Sequence, residues 1–178
     1  MFRTEPLNDE KRLDILNEEA QIIEDAFEKF KKEGLIGEVG TFPYSTFFGK
    51  QISSKIHSNK GWITYFNLLE SENINNLPLN QWMIGLRPLA AGNVFLAFNK
   101  LDNQVFKQLV EVEDFSKEEC ILYHSLHYCL LQDCVKSNVL SINTIEQANK
   151  IKKVLSENES FNLERTEVIY RLLKDVES

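Results

Sequence analysis

The chain is 178 residues long, 43% apolar and 26% charged, with a formal net charge of −7 and a pI near 5.1. Its length fits a single globular domain over residues 1–178, since domains run to roughly 150 residues, and its apolar content excludes a disordered chain. A surplus of acid repels nucleic acid and anionic lipid, and no stretch nears the ~20 apolar residues of a membrane span.

The three cysteines, Cys120, Cys129 and Cys134, are odd in number and lie close together. Secreted scaffolds use even, spread-out cysteines, so a reducing, cytoplasmic setting is expected, in keeping with an amino end that lacks an apolar leader. Two small lysine clusters, Lys29, Lys31 and Lys32, then Lys150, Lys152 and Lys153, stand beside glutamates. They read as solvated helix faces, so neither nucleic acid nor a membrane is an expected partner.

The first element is a helix over residues 9–33. Leu13, Leu16, Ala20, Ile23, Phe27 and Phe30 recur at spacings of three and four and line up one apolar stripe. Asn8 or Asp9 caps its start, the lysines suit its carboxyl end, and Gly34 stops it. Residues 34–61 follow as a long connection holding five of the seven glycines together with Phe42, Tyr44, Phe47 and Phe48. A short helix is expected within it, around Ser45 to Ile56.

Strand composition comes next: Trp62–Leu69, Trp82–Leu86, Val94–Phe98 and Val105–Val112 are rich in aromatic and β-branched residues. Turn residues separate the last three, and short links make neighbouring strands antiparallel. Ser116-Lys117-Glu118-Glu119 then reads as a capping box that opens a helix over 118–136. Further helices run from Asn143 or Thr144 to Ser156, and over Leu163–Val176. The expected fold class is α+β: an N-terminal amphipathic helix, a four-stranded antiparallel meander sheet, then three C-terminal helices with the first of them buried.

That buried helix holds the candidate chemistry. From Cys120 to Leu131 it carries no formal charge, and it places His124 and His127 three residues apart. Cysteine and imidazole are zinc's preferred ligands. Cys120 and His127, however, stand about 10 Å apart along a helix axis, so a metal needs His57, Glu111 or Asp114 to complete it. Histidines satisfied by hydrogen bonds in a core are the plainer reading. No nucleophile with a base in reach and no strand–glycine loop–helix phosphate cradle is visible, so no catalytic residue and no cofactor is expected. Gly34, Gly37 and Gly40 follow a helix and read as its stop.

Two surfaces remain as candidate partner-binding sites. One is the acidic run Glu111, Glu113 and Asp114; the other is the aromatic set Phe42, Tyr44, Phe47 and Phe48, a residue type that dominates interface hot spots. Together with the charge they point to a non-enzymatic cytosolic module of the inhibitor, immunity-protein or secretion-chaperone type, binding a basic protein. The alternative is a small enzyme or a ligand- or metal-binding protein using His124 and His127 in a pocket between helix 118–136 and the sheet. A homodimer pairing through the first helix is a third reading.

Overall fold

The computed structural model describes residues 8–43, 46–70, 72–157 and 161–177. Its first element, α1 (Asp9–Lys32), starts where Asn8 accepts a hydrogen bond from the Lys11 amide at 2.9 Å. It ends before Gly34, whose φ of 70° turns the chain away as only glycine does without strain. The α1 stripe docks on α2 (Thr46–Lys55): Leu16 is buried with Phe48, Ile52 and Ile56, and Leu13, Ala20, Ile23 and Phe27 pack around them.

Between these helices lies β1 (Val39–Thr41), and after them come β2 (Asn59–Tyr65), α3 (Glu72–Asn76) and β3 (Trp82–Leu86). A 3-10 turn at Ala90–Gly92 leads into α4 (Asn93–Asn99), α5 (Asn103–Leu109) and α6 (Lys117–Leu130). Then follow β4 (Val135–Val139), α7 (Ile145–Ser156) and α8 (Leu163–Glu177). The strands form one sheet in the order β1-β2-β3-β4, and every neighbouring pair is parallel.

The antiparallel meander, and with it the α+β class, is therefore corrected to an α/β fold. Parallel neighbours need a crossover that travels back along the sheet, and α2, α3 and the α4–α6 stretch supply one between each pair. Two stretches expected as strands are helices. Asp102, in the link between those two stretches, caps α5 by accepting from the Gln104 amide at 2.7 Å. In α4, Val94, Ala97 and Phe98 are buried at helical spacing while Leu96 is 64% exposed. The helix expected over 118–136 stops at Leu130, and the polar run after it forms β4.

The main core lies on one side of the sheet. Phe66 and Met83 pack there with Val94 and Phe98 of α4, Ile121 of α6, and Ile169 and Leu173 of α8. Trp62 of β2 lies against Gly49 of α2, and its Nε1–H donates to Ser53 Oγ at 3.0 Å. Since side chains alternate along a strand, Ile63, Tyr65, Ile84 and Leu86 stand on the other side, where no helix among the described residues covers them and each is half-buried.

The amino-terminal end of that uncovered side is filled by one ring. Trp82 lies across Gly61 of β2 and Gly40 of β1, so close that a Cβ at Gly61 would meet the ring at 2.2 Å and the Trp82 carbonyl oxygen at 2.5 Å. Above the ring, Lys136 Nζ sits 5.1 Å from its centroid and 2.6 Å from the Glu38 carboxylate. Both charged side chains are half-exposed, so solvent screens the pair and it adds little to stability. Glycine at position 61 is the stronger constraint. Gly61→Ala is expected to lower the unfolding free energy by about 1–3 kcal/mol, as overpacked cores do, read from urea unfolding followed by Trp fluorescence.

Candidate functional site at the carboxyl ends of the strands

In a parallel sheet every strand delivers the chain to the same rim, and ligands bind there, outside the carboxyl ends. Here the rim begins with Phe42 beyond β1 and Tyr65 at the end of β2, whose rings meet edge to face at 5.9 Å. The Arg87 guanidinium, just past β3, lies 4.7 Å over the Tyr65 ring. Asn67 fixes this arrangement from below. Its Oδ1 accepts from the amides of Leu69 and Glu70 at 2.9 and 3.0 Å. Its Nδ2 donates to the Glu70 carboxylate at 2.7 Å and to the Arg87 carbonyl at 3.3 Å.

The loop after β3 is held in an uncommon backbone form. Arg87, Ala90 and Ala91 have φ of 54°, 48° and 53°, and Gly92 has 96°. For a non-glycine residue each such conformation costs of the order of 1–3 kcal/mol and clusters at functional sites. Arg87, Ala91 and Gly92 of this run edge a cleft of about 450 Å³ that opens between this loop and the one after β4. On the far wall stand Leu140, Ser141, Asn143 and Gln147, at the start of α7. Thr144 Oγ1 accepts from the Gln147 amide at 3.1 Å, and Gln147 Oε1 accepts from the Asn143 amide at 2.9 Å, so the far wall is rigid.

The charge of this cleft runs against that of the whole chain. Its lining residues include Arg87, Ser141, Asn143 and Gln147, and no aspartate or glutamate. Such a site offers hydrogen-bond donors and one positive charge to an anion.

The residues singled out from sequence lie elsewhere. His124 is 1% exposed: Nε2 donates to the Val110 carbonyl at 3.0 Å, and Nδ1 lies 3.2 Å from Thr166 Oγ1. Burial brings its pKa down to about 4, so it is neutral. His127 donates from Nε2 to the Val154 carbonyl at 2.9 Å. The two imidazoles thus tie α6 to the segment after α5, to α7 and to α8, on the side away from the sheet. Cys120 turns to the backbone of Val112 and Phe115, and His57 is exposed on the turn before β2. These four side chains do not converge, and no metal-holding group of histidine, cysteine or carboxylate occurs among the described residues. Burial pushes the Cys129 thiol up to about 12, which makes it inert.

Glu111, Glu113 and Asp114 form the corner between α5 and α6. Arg165 donates to the Glu111 carbonyl at 3.1 Å and Lys153 to the Asp114 carbonyl at 3.0 Å, so the chain's own cations brace the backbone of this corner. Of the aromatic set, Phe48 is buried at 8% while Phe42 and Phe47 are 44% and 52% exposed. Tyr44 lies outside the described residues. What sequence reasoning missed is the run Arg87-Pro88-Leu89-Ala90-Ala91-Gly92, whose small residues directly after a strand are the available signal for a tight ligand-facing loop.

No family model matches the sequence, and no curated protein matches it. Solved structures do. The holo form of an aldo-keto reductase from Bacillus halodurans superposes with a TM-score of 0.59 at 15% identity, over 84% of this chain and 54% of the reductase. Its apo form gives 0.59 at 17%, over 84% and 55%. A thermostable aldo-keto reductase in complex with the inhibitor epalrestat gives 0.57 at 12%, over 84% and 53%. At these identities the likeness establishes the fold, and the chain spans about half the length of the reductases it matches.

The reading of the chain as a module of the inhibitor, immunity-protein or secretion-chaperone type is corrected accordingly. It rested on acidic charge and on the absence of a visible catalytic constellation, whereas the parallel β/α architecture is shared with part of an enzyme's fold. The expected cytoplasmic setting reduces to a narrower fact: no helix among the described residues is long and apolar enough to cross a membrane.

The buried histidine has a measurable consequence. His124 is held below its ordinary pKa, so the unfolded chain binds a proton that the folded chain refuses between pH 6.5 and about 4. Its contribution to stability is present above pH 6.5 and is lost as the pH falls through that window. Glu119, held at about 2 by the Ser116 amide and Lys153, loses its contribution only lower, as the pH falls from 4.5. Urea midpoints are expected to drop from pH 7 to pH 5, and His124→Gln is expected to flatten that drop while lowering stability at pH 7.

Proposed function

We propose that this chain is the ligand-anchoring half of a β/α barrel of the aldo-keto reductase type, and that the β3–β4 cleft takes the phosphate end of a nucleotide-class ligand. The observation that carries this reading is the cleft itself: a site lined by Arg87 and no acid, on the carboxyl rim of an acidic chain, edged by three residues of positive φ. In β/α barrels the loops after the last two strands frequently hold a phosphate. Here the cleft lies between the loops after two neighbouring strands, β3 and β4, and Arg87 and Ser141 are the donors that would meet it.

Binding is what this half supplies. On the described rim, Glu70 is engaged by Asn67 and Arg87 lies on Tyr65, and neither histidine nor cysteine is among them. A cytoplasmic setting, in which Cys120, Cys129 and Cys134 stay reduced, belongs to the same reading.

A reductase draws hydride from a carrier such as a nicotinamide, so NADPH and inorganic pyrophosphate are the probes. Calorimetric titration is expected to show both binding, more weakly as salt rises. Arg87→Ala is expected to weaken both by about 10- to 100-fold, the worth of one charge-assisted hydrogen bond, while leaving the circular dichroism unchanged. Absence of binding at millimolar probe, or equal binding by the variant, would remove the proposal.

A further inference from the structure

The loop that carries Arg87 adopts a form its own sequence resists. A residue before proline is driven towards extended backbone with negative φ, yet Arg87 precedes Pro88 and stands at φ 54°. Ala90 and Ala91, at 48° and 53°, add a cost of the same kind. Contacts from outside the run are needed to hold it.

Two donors meet the Arg87 carbonyl. One is local: the Ala90 amide, at 2.8 Å, closes the turn. The other is Asn67 Nδ2, at 3.3 Å, from a residue 20 positions earlier in the loop after β2. Asn67 is itself fully buried and closely fixed. Its Oδ1 accepts from the Leu69 and Glu70 amides, and its Nδ2 also donates to the Glu70 carboxylate. An amide side chain has two donor hydrogens and two acceptor lone pairs, and this set of bonds engages them all. Aspartate would keep the accepting side and lose the donating one. At the other end of Arg87, the guanidinium rests 4.7 Å over the Tyr65 ring. Backbone and side chain of Arg87 are thus both anchored on residues 65–67, so the end of β2 governs what the loop after β3 presents.

We infer that Asn67 is the positioning residue of the cleft: by donating to the Arg87 carbonyl it keeps the loop in its positive-φ form and so aims the guanidinium at an anion. Asn67 is buried and does not line the cleft, so its effect passes through Arg87. The anion in this inference rests on the cleft reading above; the placement of Arg87 does not.

The test removes the donor and keeps the local bonds. In Asn67→Asp/Glu70→Gln the new carboxylate still accepts from the two amides and gains a bond from the Gln side chain, so the link to Arg87 alone is lost. Asn67→Ser, whose hydroxyl can accept from the same amides, is measured beside it. Each is followed by circular dichroism, by calorimetric titration with pyrophosphate with and without Arg87→Ala, and by the proton resonance of Arg87 Nε–H, which the Tyr65 ring shifts upfield. Both variants are expected to keep the parent's circular dichroism and to bind pyrophosphate about tenfold more weakly, the worth of one hydrogen bond. The Arg87 resonance is expected to move towards its free position, and neither variant should weaken binding further once Arg87 is alanine. Glu70→Gln alone is expected to cause no loss. Unchanged affinity where the parent binds overturns the inference, as does a loss that persists in the Arg87→Ala background or an unmoved Arg87 resonance. Unfolding of both variants overturns it too, because Asn67 would then hold the fold and not one loop. If the parent binds no pyrophosphate, the cleft reading falls, while the Arg87 resonance still decides whether Asn67 places that residue.

Discussion

Two strands that run the same way cannot be joined by a tight turn; the chain must first travel back along the sheet. Every later feature of this molecule follows from that requirement. The return paths are helices, and right-handed crossovers between strands in sequential order put them all on one side. One side of the sheet is therefore a packed layer built on Phe66, Met83, Val94, Phe98 and Ile169. The other has only its own side chains. The same requirement sends all four carboxyl ends to one rim, which is where the strained loop and the acid-free cleft occur.

Polar groups inside the helical layer are arranged so that few are left unpaired. His124 bridges the Val110 carbonyl and Thr166, His127 reaches the Val154 carbonyl, and Thr166 in turn donates to the Asn162 carbonyl at 3.1 Å. A buried carbonyl at a chain turn is costly unless a donor meets it. Imidazoles at i, i+3 on α6 meet two such carbonyls from one helix. The Tyr123 and Phe161 rings pack around the pair, with Phe161 stacked on His127 at 5.2 Å. The histidines that stand out in the sequence are thus spacers between helices, and the neutrality of His124 is part of how it fits.

Much of the helical layer was legible in the sequence, because its signals are local. The α1 stripe, the Ser116–Glu119 capping box and the α7 and α8 periodicities each depend on residues within one or two turns. The sheet was not. With three residues, one of them glycine, β1 has no alternation to detect. In β4 the sequence Val-Lys-Ser-Asn-Val is polar because an edge strand carries charge and lies against little. Short aromatic runs such as Val94–Phe98 satisfy a strand and a helix equally, and only the buried positions decide. The candidate site was hidden for a related reason. Its signal is a backbone conformation, of which the small residues Ala90, Ala91 and Gly92 after β3 are only a faint trace.

The ring of Trp82, laid over Gly40 and Gly61 and roofed by the Lys136–Glu38 pair, acts as a floor. At the opposite, carboxyl end of the same face stand the rings of Phe42 and Tyr65 and the Arg87 guanidinium. Two rings and a cation at that end favour contact with flat or electron-rich molecules.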